Sequence, residues 1–191
     1  MKQTILFFLV FSVFTSISSQ SQKKFIPQTI SSLEVVTSLD WDAPSDWFVT
    51  TDDLNPEEFS GKYLETGENK LEWITHKIPS QFNKAKHDKP DIHKIWIAKS
   101  LLFPATVKTN SISIRLGVIS DRDRTYFNGV MIGATGEFGK HYPSAYDKVR
   151  IYEIPDNLIR KGAENLLLIE VEEYFYGTIG IDQDKTEIGP S

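Results

Sequence analysis

The chain has 191 residues, 40% hydrophobic and 25% charged, so it carries enough apolar material for one folded domain and is not a disordered polymer. It contains no cysteine, which excludes disulfides, thiolate metal sites, a cysteine nucleophile and a lipid-modified cysteine. The formal charge of -5, with no dense Lys/Arg run, argues against nucleic acid as a partner.

The N-terminus reads as an export signal. Lys2 precedes the apolar run Ile5 to Phe14, and the small residues Ser16, Ser18 and Ser19 follow. That run is shorter than the ~18–20 residues a spanning helix needs, so residues 1–19 are predicted to be a signal peptide cleaved after Ser18 or Ser19. Loss of Lys2 would make the mature protein one unit more negative, and no second run of spanning length occurs, so the mature chain is predicted to be exported and not to span a membrane. A disulfide-free exported domain suits a bacterial periplasm or exterior.

Residues 20–32 are polar and predicted to form a flexible leader. The β pattern then begins. Leu33 to Leu39 is predicted as a strand ending at the turn-rich DWDAPSDW. Lys70 to Ile78 alternates, with Leu71 and Trp73 on one face and Ile74 and Ile78 on the other. His93 to Leu102 forms the next run, stopped by Pro104. In Ser111 to Ile119, Ile112, Ile114 and Leu116 oppose Ser113, Arg115 and Gly117.

The segment Asp121 to Gly136, DRDRTYFNGVMIGATG, holds a hairpin signal: Asn128-Gly129 sits between two apolar runs and suits the positive φ angles of a type I′ turn. Gly133 and Gly136 are expected to let the chain leave the second strand. Asp121 and Asp123 are expected to close the turn before the hairpin, and the interleaved arginines to neutralise them on a solvated loop. A calcium loop would need more oxygen ligands and a different glycine spacing, so no metal is predicted here, and no cofactor anywhere. Lys148 to Ile154 sets Val149, Ile151 and Glu153 against Arg150, Tyr152 and Ile154. A helical turn follows, with Pro155 at its start and Gly162 at its stop. Leu166 to Val171 reads as a buried strand and Tyr176 to Ile181 as the last one, leaving 183–191 as a tail. No window longer than about ten residues shows helical periodicity. Many short strands with turn residues between them predict an all-β antiparallel sandwich over residues 33–182.

The order IWIAKSLLFP, LGVISDRDRTYFNGVMIGATG, VRIYEIPDNLIRKGAENLLLIEV resembles the galactose-binding-like jelly-roll domain, in the version found in sialate O-acetylesterases and in the sugar-binding domain of glycoside hydrolase family 2. Trp96, Asp121, Asp123, Tyr126, Asn128, Gly129, Ile132, Gly133, Arg150, Tyr152, Pro155, Leu158, Ile159, Gly162 and Asn165 occupy the matching places. The resemblance covers Ile95 to Val171 well and Val35 to Pro79 loosely. Physically, Pro155 ends a strand, Leu158 and Ile159 cap the sandwich, Gly162 permits a positive-φ exit and Asn165 holds the turn before LLLIEV. Arg150 is expected to pair with Asp121 or Asp123 at the sandwich rim, as a structural contact.

Nothing in the chain marks an enzyme. It lacks the Gly-Asp-Ser and Gly-x-Ser-x-Gly nucleophile motifs, and the four histidines (His76, His87, His93, His141) have no metal-ligand spacing. No two carboxylates are marked as facing each other. Glu170, Glu172 and Glu173 read as the exposed side and exit of a strand. The resemblance implies ligand contacts on loops at one end of the sandwich. Candidates there are Asp46 and Trp47 in the first turn-rich segment, and Glu137, His141, Tyr142 and Tyr146 after the hairpin. Trp41 reads as packing, and packing is the alternative for Trp47. The predicted function is a non-catalytic exported module that binds carbohydrate or a carbohydrate-like ligand. A second resemblance, to extracytoplasmic sensor domains of seven-helix bacterial receptors, implies instead the ligand-receiving part of a larger membrane signalling protein. A third reading is an accessory domain with a carbohydrate esterase or glycosidase as its catalytic partner.

Overall fold

A computed structural model describes residues 24–40, 46–88, 91–108, 111–136, 144–173 and 179–191. The predicted signal peptide lies outside the described residues. The chain forms β1 (Gln28–Thr29), β2 (Thr37–Ser38), β3 (Trp47–Thr50), helix α1 (Pro56–Thr66), β4 (Ile74–His76), β5 (Ser80–Gln81), β6 (Lys94–Leu102), β7 (Ile112–Ser120), β8 (Arg122–Phe127), β9 (Val130–Thr135), β10 (Val149–Ile154), β11 (Glu164–Glu172), β12 (Gly180–Gln183) and β13 (Glu187–Pro190), with short 3-10 turns at Ala85–His87 and Asp156–Leu158. The strands make an all-β sandwich. One sheet runs β4-β3-β6-β11-β8-β9, with β1 added in parallel to the end of β6. In the other, β7 is flanked by β10 on one side and by β12 and β13 on the other, with β5 and β2 beyond.

Burial explains why some strands alternate and others do not. The β7–β10 sheet has one covered face, so β10 alternates strictly, with Val149, Ile151 and Glu153 outward and Arg150, Tyr152 and Ile154 inward. The β6–β11 sheet is covered on both faces. Inward, Ile95, Ile97, Leu101, Leu167, Ile169 and Val171 join the main core. Outward, Trp96, Ala98, Leu166 and Leu168 meet a second cluster formed by Phe25, Phe48, Tyr63 and Trp73. Both strands are therefore buried along nearly their whole length.

That second cluster is built by elements the sequence reading missed. Asn55 caps α1, its Oδ1 accepting from the N–H groups of Glu57 (3.0 Å) and Glu58 (3.1 Å), and Pro56 opens the helix. Gly67, at φ 69°, ends it. Only Phe59, Ser60, Tyr63 and Leu64 face the sheet, too few apolar positions for a visible period. Phe25 stacks on Phe48 at 4.6 Å, and Phe25, Gln28 and Ile30 are buried, so the described part of the predicted leader is packed into the fold. The predicted tail likewise contains β13, paired with β7 and β2. Of the predicted strand Leu33–Leu39, only Thr37–Ser38 is extended and paired.

The DRDR stretch is strand rather than solvated loop. Arg122 and Arg124 point outward to Glu172 (3.2 Å) and Glu170 (3.0 Å), while Asp123 points into the sandwich. Glu170 is nearly buried, and Glu173 is buried beneath Lys84 and His93 (Nδ1 at 2.8 Å), so the acidic strand end is not simply exposed. The hairpin is as predicted: Asn128 and Gly129 adopt φ of 50° and 87°. Gly133 has another role. It lies within β9, and a Cβ there would overlap the Tyr152 ring. Pro155 ends β10 and leads into the 3-10 turn, Ile159 is buried, and Gly162 (φ 71°) provides the exit.

Trp47 corrects a candidate ligand contact. It lies on the inward face of β3, 1% exposed, and its Nε1 donates to the Leu39 carbonyl at 2.6 Å. The Lys99 ammonium sits 5.3 Å from its ring centroid, so the ring has no face left for a sugar. Burial lowers the Lys99 ammonium to about 8, with Asp46 opposing the shift. An unfolded lysine keeps its proton to about pH 10.4. Folding therefore releases a proton between these values, and stability should rise as pH increases from about 8 towards 10.5, by on the order of 2 kcal/mol after allowance for residual screening. Urea denaturation across this range should show the rise in the native sequence and its loss in Lys99→Met; equal slopes would refute the assignment.

Candidate functional site

Of the two segments that the sequence reading picked out, Asp46 and Trp47 lead into β3 opposite the middle of β6, and the described part of the second, residues 144–148, lies at the sandwich end where β7 ends and β8, β10 and β12 begin. This end rests on a buried polar network. Asp123 is fully buried and accepts from Arg150 Nε (2.9 Å), Tyr152 Oη (2.8 Å) and Thr125 Oγ1 (3.0 Å). The Tyr152 hydroxyl also meets Thr135 Oγ1 at 2.7 Å. The remaining Arg150 donors reach backbone carbonyls: Ala145 (2.9 Å), Asp121 (2.7 Å) and Lys148. Arg150 thus ties β10, β8 and the segment before β10 together. The expected Arg150 pairing exists, but it is wholly buried rather than at the rim. Burial pushes the Asp123 carboxyl up, against the pull of Arg150 and the two hydroxyl donors. Burial also raises the Tyr152 hydroxyl, helped by the Asp123 charge.

Above this base lies a partly exposed layer. Asp121 accepts through Oδ1 from Ser144 Oγ, and Ser144 Oγ in turn accepts from the Tyr146 N–H at 3.1 Å. The Tyr146 hydroxyl donates to Asp182 Oδ2 (2.6 Å) and accepts from Gln183 Nε2 (2.8 Å). The hydrogen bond to Asp182 holds this phenol protonated above its ordinary range. Asp123 serves the interior rather than a turn, and Asp121 receives Ser144.

Of the six candidate contacts, only Tyr146 stands in this layer among the described residues. Asp46 is exposed at the start of β3, beside Lys99, with no hydrogen bond or ion pair joining it to Tyr146. Glu137, His141 and Tyr142 lie outside the described residues, as does Trp41. Asp182 and Gln183 were missed by sequence reasoning; their signal was the polar ending of the β strand that begins Gly180-Ile181. Among the described residues, no group of three or more His, Cys, Asp or Glu could hold a metal, and no helix is long and apolar enough to cross a membrane.

No protein-family model matches the chain, and no curated protein matches it in sequence. Solved structures do match in fold, among them three β-glucuronidases. The Lactobacillus rhamnosus enzyme aligns with TM-score 0.59 and 16% identity, over 86% of this chain and 30% of its own. The Bacteroides uniformis enzyme gives 0.58 and 13%, over 81% and 17%. The Ruminococcus gnavus enzyme in complex with uronic isofagomine gives 0.55 and 16%, over 88% and 30%. The likeness is one of fold: a β-sandwich that spans less than a third of each glucuronidase chain.

Proposed function

We propose that this chain is a non-catalytic, exported module that binds carbohydrate at the sandwich end carrying Tyr146. The observation that carries the reading is the arrangement of a half-buried tyrosine flanked by a carboxylate and an amide, Asp182 and Gln183. A phenol ring offers an apolar face to the C–H face of a pyranose, while a carboxylate and an amide accept and donate hydrogen bonds to its hydroxyls. The Arg150–Asp123 network beneath fixes the backbone of this segment, so the site is largely formed before the ligand arrives. The missing nucleophile motifs support a binding rather than a catalytic role, and the fold shared with glycosidases supports action as an accessory domain beside a catalytic partner.

Titration with glucuronic acid and with neutral monosaccharides, followed by NMR, tests this. Saturable shifts at the amides of Tyr146 and Asp182 are expected at millimolar sugar. Tyr146→Ala should weaken that binding about tenfold, in keeping with the loss of one aromatic stack and its hydroxyl contacts. No response to any sugar, or an unaltered affinity in the variant, would remove the reading.

A further inference from the structure

A concavity lies on the opposite side of the β6–β11 sheet from the sandwich core, between α1 and the turn at residues 68–71. Its volume is about 220 Å³. That is below the roughly 300–1,000 Å³ typical of sites for drug-sized ligands, and suits one small ring. Leu54, Phe59 and Leu71 form an apolar floor, and each is partly exposed. The Phe59 ring is held by Tyr63 (stacked, 6.0 Å between centroids) and by Trp73 (5.6 Å).

Both walls are fixed independently of any ligand. The α1 wall is set by its Asn55 cap. The other is set by buried Asn69, whose Oδ1 accepts from Trp73 Nε1 (2.8 Å) and the Leu71 N–H (3.1 Å). The rim is polar. Glu68 is paired with Lys62 at 3.1 Å and Asp53 with Lys94, so two carboxylates are anchored at the mouth. Glu58 and Lys70 also line the cleft and are exposed, with no ion pair among the described residues.

This combination restricts the occupant. A wholly apolar molecule would strip water from the charged rim without replacing its hydrogen bonds. A small ion has no use for the apolar floor. A ring with one C–H face and a hydroxyl periphery satisfies both. We infer that the cleft between α1 and residues 68–71 binds a single pyranose ring, with Phe59 as its stacking platform and Glu58 and Lys70 as hydroxyl partners. The cleft is separate from the Tyr146 end and stands on its own geometry.

NMR titration of the full chain with methyl β-D-glucopyranoside and methyl β-D-galactopyranoside tests the assignment. Saturable shifts are expected at the amides of Phe59, Lys62 and Leu71 at millimolar glycoside. Phe59→Leu keeps an apolar floor but removes the flat ring, and should weaken these shifts about five- to tenfold. Glu58→Ala alters only an exposed position, and should weaken them about threefold even if Phe59→Leu fails to fold. Shifts confined to Tyr146 and Asp182 would overturn the cleft while leaving the end site standing. Shifts confined to the cleft would do the reverse. No shift at Phe59, Lys62 and Leu71 with either glycoside, or unchanged affinity in the variants that fold, would also overturn it.

Discussion

Replacing Arg150 by methionine should lower stability by about 3–5 kcal/mol, because it leaves the Asp123 carboxylate buried without its counter-charge. The loss is not only Coulombic. Three backbone carbonyls, of Asp121, Ala145 and Lys148, lose the guanidinium as a donor at the same time, that of Ala145 keeping the Lys148 N–H at 3.2 Å. A double variant, Arg150→Met with Asp123→Leu, separates the contributions. Removing both charges relieves the unpaired carboxylate, but the three carbonyls do not regain the guanidinium donors, and the Tyr152 and Thr125 hydroxyls lose Asp123 as acceptor. Recovery should therefore be partial, unlike the near-neutral outcome of replacing an isolated buried ion pair by apolar residues. Urea denaturation of the native chain, both single variants and the double provides the cycle. A cost below about 1 kcal/mol for Arg150→Met would show that the buried network contributes little to the fold. Since the same guanidinium positions residues 145–148, the variant should also weaken any sugar bound at Tyr146.

What the sequence disclosed depended on how many faces an element buries. β10 was readable to the residue because one face is wet: Arg150 and Tyr152 alternate inward with Ile154. Asn128-Gly129 was readable because few residue pairs tolerate two positive φ angles in succession. The polar neighbours of the hairpin misled. Asp123 and the flanking arginines look like loop residues, but the strand sends each charge to a partner at a distance of 27 to 50 positions in the chain, and local pattern carries no trace of such pairs. Trp47 misled for a related reason. Its turn-rich surroundings suggested an exposed aromatic, whereas the strand that begins there turns the ring into the core against Lys99. The short helix α1 was missed because its apolar face is only about one turn deep. Its end signals, Asn-Pro-Glu-Glu and Gly67, were present. The candidate site was legible only at Tyr146, since its partners Asp182 and Gln183 come from a strand about 36 positions later, brought beside it by pairing with β7.

Asn128→Ala should cost about 3–4 kcal/mol, a large effect for one side chain at a surface turn. The Asn128 amide is a junction of three elements. Its Nδ2 donates to the Leu158 carbonyl (2.7 Å) and to Asn165 Oδ1 (2.8 Å), and its Oδ1 accepts from the Leu166 N–H (2.7 Å). Asn165 continues the network, its Nδ2 reaching the carbonyls of Arg160 (3.0 Å) and Ala163 (2.9 Å), so the hairpin is stapled to the turn that starts β11. Alanine would take this partner from the Leu158 carbonyl and the Leu166 N–H, while Asn165 Oδ1 keeps the Arg160 N–H (2.8 Å), and would also hold a positive φ that an L side chain adopts at a cost of roughly 1–2 kcal/mol. Asn128→Gly keeps the turn and removes only the amide, so it should cost about 2 kcal/mol. Asn128→Asp retains the acceptor for Leu166 N–H but sets a carboxylate oxygen against the Leu158 carbonyl and Asn165 Oδ1, and should fall below the glycine variant. For a chain of this size each kcal/mol moves the thermal midpoint by about 2–4 °C, so the ranking native, glycine, then alanine and aspartate is resolvable by calorimetry. A glycine variant as stable as the native chain would mean that the turn geometry alone matters at Asn128, and that the amide network contributes nothing.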